Sequence, residues 1–75
     1  MSGKDDEPLM MWVVFDHPND FPNSWVARMW LDNTPQDTML MADSYELIEM
    51  QLRNWDYINI GRNDEDDSKI HSVWI

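Results

Sequence analysis

The residues best suited to binding a metal ion are Asp16, His17 and Asp20, which lie within five positions of one another, and His71 near the C-terminus. Carboxylate oxygens and imidazole nitrogens are ligands for zinc, manganese and iron. A structural zinc site needs four ligands at a recognisable spacing, and this chain has two histidines and no cysteine. In the alternative interpretation, Asp16 and Asp20 accept backbone hydrogen bonds in turns. We favour that alternative and predict no metal and no cofactor.

A second group of acids, Asp64-Glu65-Asp66-Asp67, has the residue types that bind calcium. An EF-hand loop needs acids at alternate positions, a central glycine and a distal glutamate. Gly61 precedes this run, and no glutamate follows it. The run is therefore more typical of the solvated tip of a β-hairpin, or of a patch that meets basic residues of a partner.

The sequence contains no recognisable catalytic motif. No set of a nucleophile and a base stands out, and two glycines leave little room for a phosphate-binding loop. The many carboxylates could form acid–base pairs, but nothing in the sequence places two of them across a cleft. We predict that the protein is not an enzyme, and we keep a metal-dependent enzyme as the second alternative.

Charge is the strongest compositional signal. Fifteen acids and five bases give a net charge of −10. A body about 25–30 Å across, as this length predicts, has roughly half the charge that B-DNA carries over the same distance. This density argues against binding to nucleic acid or to an anionic membrane, and it favours a basic surface of a larger protein as the partner. In the alternative interpretation, the acids only keep a small apolar domain soluble.

The N-terminal half predicts strands that alternate with loops. Leu9–Phe15 is apolar on both faces, which is typical of a central strand. A loop follows, in which we expect His17 to be extended because it precedes Pro18. Apolar residues then alternate along Ser24–Asp32, which predicts a half-buried strand paired with the first in a hairpin. Thr38–Ala42 is a short third strand.

A helix follows the third strand. Asp43 and Glu46 have the spacing of a capping box at its start. Ile48, Leu52 and Trp55 recur at i, i+4 and i+7, which places them on one apolar stripe. The spacing therefore predicts an amphipathic helix that packs on a sheet through this stripe.

Two further strands, Asp56–Gly61 and Lys69–Ile75, form a second hairpin. The predicted order is β-β-(β)-α-β-β. It indicates an α+β fold: a small two-layer domain in which one amphipathic helix covers one face of an antiparallel sheet. Residues 9–75 form this single domain, and we predict that residues 1–8 are a disordered acidic leader.

The opposite face of the sheet should stay open. Five tryptophans are hard to bury completely in 75 residues, and seven methionines add adaptable apolar surface. We expect Met11, Trp30 or Trp74 to lie on the open face. Tryptophan and methionine are enriched at the cores of protein interfaces, which favours a function in binding.

Several motifs occur together along the chain. They are the stretch WVVFDHPNDFP at residues 12–22, Val26-Ala27-Arg28 followed by Trp30, the acidic run 64–67 and the pair Val73-Trp74. In these motifs the chain resembles a group of short uncharacterised bacterial and phage proteins. Those proteins open with W-x-V/I-F/Y-D-H-P-x-D-F/Y-P, continue with V-A-R-x-W, and end with an acidic turn before a V-x-W strand.

The resemblance covers nearly all of the chain after residue 8. This sequence has Met29 where a second arginine is common, and it adds the acidic leader. The group has no activity to carry over, so the resemblance supplies no site residues. It implies a phage or prophage source.

We predict a small acidic protein-binding inhibitor or adaptor that docks on a basic surface of a larger protein. A phage-encoded version would imitate DNA and act on a host nucleic-acid-binding protein of defence or transcription. The predicted contacts are carboxylates of turns, strand edges and the helix, together with one tryptophan: Asp16, Asp20, Trp30, Asp32, Asp37, Glu46, Glu49, Asp64, Glu65, Asp66 and Asp67.

The first alternative is a structural or assembly module that forms a homodimer or larger homo-oligomer through an apolar sheet face. The location predicted for either function is the cytoplasm, or the host cytoplasm for a phage protein. The chain has no cysteine, its first residues contain no apolar signal segment, and its longest apolar run, Leu9–Phe15, is too short to span a membrane.

Overall fold

The computed structural model describes residues 9–32, 34–61 and 69–75. Its elements are β1 (Met10–Asp16), β2 (Trp25–Leu31), β3 (Thr34–Ala42), α1 (Tyr45–Asn54), β4 (Asn59–Gly61) and β5 (Ile70–Trp74). The strands form one antiparallel sheet in the order β3-β2-β1-β5-β4, so the predicted α+β fold is confirmed. The predicted leader at residues 1–8 and the acidic run 64–67 lie outside the described residues.

β1 is the central strand, as its two apolar faces predict. It pairs with β2 over its whole length, from Met10 opposite Leu31 to Asp16 opposite Trp25, and with β5 on its other side. Side chains alternate between the two faces of a strand. The faces of β1 therefore determine which residues of its neighbours lie beneath the helix and which do not.

Helix α1 packs on one face of the sheet and encloses the core. The buried residues of this core are Trp12, Val14, Ala27, Ile48, Leu52 and Trp74. Ile48 and Leu52 belong to the predicted apolar stripe of the helix. The third member of that stripe, Trp55, is 46% exposed and contacts the ring of Trp12, with 5.7 Å between ring centroids. Large aromatic side chains thus supply much of the apolar area that a chain of this length needs.

The helix begins later than its sequence predicts. Its N-cap is Ser44, which has extended backbone angles and makes no capping bond through its side chain. The predicted cap at Asp43 and its capping box with Glu46 are therefore wrong. Serine and aspartate are both good N-caps, so the sequence alone does not separate these neighbouring positions. No helix within the described residues is long and apolar enough to cross a membrane.

The C-terminal end of α1 is a Schellman motif. The backbone N–H of Asp56 donates to the carbonyl of Arg53, and that of Tyr57 donates to the carbonyl of Leu52, both at 3.0 Å. Asp56 occupies the position that usually belongs to glycine and has a φ of 67°. The helix therefore ends at Asn54, and its last turn is closed by an aspartate in the left-handed conformation, which is unfavourable for a residue with a Cβ.

Strand β3 is longer than predicted, since it begins at Thr34 and includes Pro35. Proline is tolerated here because β3 is an edge strand of the sheet. The pairing of β2 with β3 shifts between Arg28 and Trp30 and leaves extra residues on β3. Arg28 Nη1 donates to the carbonyl of Gln36 in this irregular segment, at 2.8 Å. The arginine therefore satisfies a backbone group that the shifted ladder does not.

Strand β5 contains a second irregularity. Val14 of β1 pairs with Ser72, whereas the next residue of β1 pairs with Ile70, so His71 is an extra residue in β5. This bulge breaks simple alternation along the strand. Trp74 is fully buried under the helix, and the expectation that it could lie on the open face is therefore wrong.

Candidate protein-binding surface

The sheet face opposite α1, here called the open face, is covered by no helix or strand of the described residues. The strand registers place on it a set of mainly apolar side chains: Met11, Val13, Phe15, Val26, Arg28, Trp30, Met39, Met41, Ile70 and Val73. Met11 and Trp30 were predicted to be candidates for this face, and both lie on it. The open face is thus the largest apolar surface that the sheet leaves without a second layer.

A shallow apolar groove lies on the open face where β2, β1 and β5 adjoin. It has a volume of about 200 Å³ and is lined by Met11, Val13, Trp30, Ile70 and Val73. Val13 is buried at its floor, and the other four side chains are half-buried. Every lining residue is apolar or aromatic. The groove can therefore accept an apolar side chain of a partner but offers no charged group for catalysis.

Arg28 is the basic residue of the open face among the described residues. Besides its bond to Gln36, it lines a smaller cavity of about 80 Å³ together with Asp20, Phe21 and Val26. The cavity lies between the β1–β2 loop and the sheet. Arg28 thus holds the bulge of β3 and lies near an acidic residue, so the open face is not a basic patch.

Three of the predicted contact carboxylates, Asp20, Asp32 and Asp37, lie around this face, whereas Asp16 pairs with Trp25 and alternation directs it to the helix side of β1. Asp16 and Asp20 are at the end of the sheet where β1 leaves for its loop, and Asp32 is at the opposite end. Asp37 is exposed on the edge strand β3. Asp32 also has a structural role, because its Oδ1 accepts the backbone N–H of Leu9 at 2.8 Å and its φ is 48°. Asp20, Asp32 and Asp37 thus give the apolar face around Trp30 an acidic rim.

The remaining predicted contacts are not on this face. Glu46 and Glu49 lie on α1, in the other layer of the domain. Glu49 Oε2 accepts a hydrogen bond from Arg53 Nη2 at 3.3 Å. The structure therefore separates the predicted set into a rim around Trp30 and a pair on the helix, while the acidic run 64–67 lies outside the described residues.

The two histidines of the chain pack on the same tryptophan. The ring centroids of His17 and His71 lie 5.6 Å and 5.3 Å from that of Trp25, both edge to face. His17 Nδ1 also contacts Asp16 Oδ1. His17 has a φ of 49°, so the expected extended conformation before Pro18 is wrong. No three histidine or acidic side chains gather into a metal site within the described residues.

A polar network joins α1 to β5 beside these rings. Trp74 Nε1 donates to Ser72 Oγ at 3.0 Å, and His71 Nδ1 lies 3.2 Å from the same oxygen. Burial raises the pKa of the Tyr45 hydroxyl, a hydrogen bond with Ser72 opposes that rise, and the charge of Glu49 adds to it. The network connects the helix to the sheet and does not open into a cleft. Its role is therefore structural.

Sequence reasoning named Met11 and Trp30 but missed Ile70 and Val73. These two residues are separated by three positions, which in a regular strand would place them on opposite faces. The bulge at His71 brings both to the open face. No local signal in the sequence marks this bulge, so the groove could not be assembled from alternation alone.

No protein-family model matches the sequence, and neither a curated protein nor a solved structure matches it.

Proposed function

We propose that this protein is a small acidic inhibitor or adaptor that binds a basic region of a larger protein through the open face. The observation that carries the proposal is an apolar sheet face, with Trp30 beside its groove, that no described helix or strand covers. Exposed apolar patches of this kind are typical of protein interaction sites. The groove offers a partner side chain a place to be buried, and Trp30 is of the residue type most often found at hot spots.

The size of the open face fits the centre of an interface. Four strands spaced about 4.8 Å apart, each contributing five to seven residues at about 3.3 Å, cover roughly 400 Å². A stable interface buries about 800 Å² on each partner. The open face would therefore form the apolar centre, and the acidic rim would supply much of the remaining contact.

The net charge of the molecule supports a basic partner. A net charge of −10 steers the chain toward positive surfaces and repels nucleic acids and anionic membranes. Asp20, Asp32 and Asp37 would meet lysines and arginines around the apolar centre. In the more specific version, the partner is a nucleic-acid-binding protein of a phage host, and the carboxylates occupy the positions of phosphates. The site of action would then be the host cytoplasm.

Affinity capture with paired variants tests the proposal. Tagged protein is incubated with lysate of the source cell or its host, and captured proteins are identified by mass spectrometry. Val73→Asp places a charge in the groove, and Met50→Asp places the same charge on α1, where Met50 is 67% exposed. We expect a partner that the wild type and Met50→Asp retain and that Val73→Asp loses. Retention by Val73→Asp, with its fold confirmed by circular dichroism, would contradict the proposal.

Added salt tests whether the interaction is driven by charge, and competing DNA tests whether the carboxylates imitate phosphates. Raising ionic strength from about 0.05 M to about 0.5 M shortens the screening length and should reduce capture. A capture that is independent of salt would rule out the charge-driven interaction. Duplex DNA should displace the protein from its partner if the carboxylates imitate phosphates. Failure of DNA to compete would leave an adaptor that does not imitate DNA.

Sedimentation tests the assembly alternative. A face-to-face dimer would bring together two chains of charge −10 and the Arg28 residues of both open faces. We therefore expect a monomer at high protein concentration. A dimer that Val73→Asp dissociates would instead favour the homo-oligomer.

A further inference from the structure

The free edge of β3 carries backbone groups whose direction can be worked out from the ladder. The backbone N–H of Asp32 donates to the carbonyl of Leu9 at 3.0 Å, so this pair of β2 and β1 is a hydrogen-bonded one. Hydrogen-bonded and non-hydrogen-bonded pairs alternate along an antiparallel ladder. The β1–β2 register is regular, and Arg28 and Val26 therefore direct their backbone groups toward β1.

The direction of the backbone groups of β3 follows from the same alternation. Ala27, between those two residues, directs its backbone groups toward β3, where its partner is Leu40. Met39 and Met41 pair with Arg28 and Val26, so their own N–H and C=O groups point away from β2. β3 is an edge strand, and no described strand lies beyond it. Within the described residues, the edge thus presents the N–H and C=O groups of Met39 and Met41 without a neighbouring strand.

A groove runs beside this edge, between β3 and α1. It has a volume of about 480 Å³, which lies in the range of ligand-binding pockets, and it is lined by Leu40, Met41, Ala42, Asp43, Leu47, Ile48 and Gln51. Leu47 is about half exposed, at 55%, and Leu40 and Ala42 face the groove from β3, whereas the side chain of Met41 lies on the open face. Apolar side chains thus border the same stretch of edge whose backbone groups are free. This groove is separate from the one on the open face.

The surroundings of the groove are acidic. Asp37, Asp43 and Glu46 are exposed along β3 and at the start of α1. Neither β3 nor the first two turns of α1 contains lysine or arginine; Arg53 lies in the last turn of α1, and Arg28 of β2 reaches β3 only at the carbonyl of Gln36. A groove of mixed polar and apolar lining, with a free strand edge and carboxylates on its border, fits an extended peptide that carries both basic and apolar residues.

We propose that β3 and α1 bind an extended segment of a partner protein as an additional strand of the sheet. The segment pairs with Met39 and Met41, places alternate apolar side chains in the groove, and places lysine or arginine near Asp37 and Asp43. Pro35 has no backbone N–H to donate, which confines pairing to the later part of β3. This inference rests on the proposed function for the class of partner, but it concerns a different surface.

Three synthetic peptides test the inference without the natural partner. The first is a heptapeptide that alternates lysine with valine or leucine, the second has glutamate in place of lysine, and the third has a central proline. Binding to ¹⁵N-labelled protein is followed by amide chemical shifts and hydrogen exchange. We expect the lysine peptide to bind about tenfold more tightly than the glutamate peptide because of the acidic border, and the proline peptide to bind weakly.

The amides report directly on strand addition. Amides of Met39 and Met41 should exchange rapidly in the free protein and become protected with the lysine peptide. Those of Leu40 and Ala42, which face β2, should be protected throughout. Binding of the peptide without new protection at Met39 and Met41 would overturn the inference. So would protection that rises with protein concentration in the absence of peptide, because a second copy would then occupy the edge.

Two variants at position 41 distinguish the contribution of the backbone N–H to peptide binding from that of the side chain. Met41→Pro removes an outward donor without removing a ladder bond to β2, and Met41→Val keeps the donor. We expect Met41→Pro to bind the lysine peptide about five- to tenfold more weakly than the wild type, as for one lost hydrogen bond. Met41→Val should bind it nearly as tightly as the wild type does. Equal binding by both would contradict strand addition.

The open face provides the control for the two proposals. Val73→Asp should leave binding of the lysine peptide unchanged, since Val73 does not line the β3–α1 groove. Loss of natural-partner capture with Val73→Asp supports the proposed function whatever the peptide does. Conversely, peptide binding with protection of Met39 and Met41 supports this inference even if capture does not depend on Val73.

Discussion

Two neighbouring tryptophans differ in one hydrogen bond. Trp12 and Trp74 are opposite each other on β1 and β5, and both are buried beneath the helix. Trp74 Nε1 donates to Ser72 Oγ, whereas Trp12 Nε1 is buried and has no partner among the described residues. The two side chains thus allow a comparison of an indole N–H that has a hydrogen-bond acceptor with one that has none among the described residues.

We expect Trp74→Phe to cost about 1 kcal/mol more of unfolding free energy than Trp12→Phe. Both changes remove similar apolar area, but the first breaks the hydrogen bond to Ser72 Oγ, whereas the second removes a buried donor that has no partner among the described residues. Urea denaturation of the two variants measures the difference. Ser72→Ala in the wild-type and Trp74→Phe backgrounds is the control, since its effect should shrink once the indole is gone. Equal costs for the two tryptophans would contradict the role assigned to this bond.

The hydroxyl of Tyr45 makes the free energy of unfolding depend on pH in the alkaline range. Its pKa is raised above 10.0 chiefly by burial, so the folded state holds the proton more tightly than the unfolded state does. The stabilisation is complete below the unfolded pKa and is lost as pH rises through the folded pKa. The chain has two tyrosines, and Tyr57→Phe leaves Tyr45 as the only one. Its tyrosinate absorbance should then titrate above pH 10.0, and titration below that value would contradict the burial of this hydroxyl.

At the scale of elements, the end of α1 contains a residue that a glycine should improve. Asp56 is in the left-handed conformation and places a negative charge at the negative end of the helix. Asp56→Gly should raise the free energy of unfolding by about 1 kcal/mol. Asp56→Ala removes the charge but keeps the Cβ, so it should gain clearly less. An equal gain from both variants would show that charge, not backbone conformation, is the cause.

The elements with strong periodicity were predictable, and the irregular ones were not. The apolar faces of β1 placed it at the centre of the sheet, and the i, i+4 spacing of Ile48 and Leu52 oriented α1. The start of β3 was not predicted, because it contains Pro35 and proline usually breaks a strand. An edge strand accepts proline. Bulges depend on tertiary pairing, so the sequence did not show how Ile70 and Val73 meet. For the site, this meant that Trp30 was predictable and the groove beside it was not.

At the scale of the molecule, charge should govern the response to salt. The net charge is −10, and screening relieves the repulsion that the compact chain carries. The melting temperature should therefore rise from low to moderate ionic strength. Glu46→Lys lowers the net charge to −8 and should show a smaller rise. A melting temperature that is flat or falls with salt would indicate that the acids are already balanced by pairing.

The two surfaces give the molecule two distinct ways to meet a partner. The open face offers apolar burial within an acidic rim, and the edge of β3 offers backbone groups beside a second groove. The two grooves share no lining residue, and they lie on opposite faces of the sheet, although Met39 and Met41 of the β3 edge also border the open face. A partner that extended a strand along β3 could still be bound independently of the open face.

The central claim, that a partner docks on the open face, is tested most directly by site-specific photo-crosslinking. A benzoylphenylalanine is incorporated at position 11, in the groove of the open face, or at position 50, on the exposed side of α1. After irradiation in lysate, we expect a covalent adduct with one partner protein from position 11 and none from position 50. An adduct from position 50 with none from position 11 would contradict the claim.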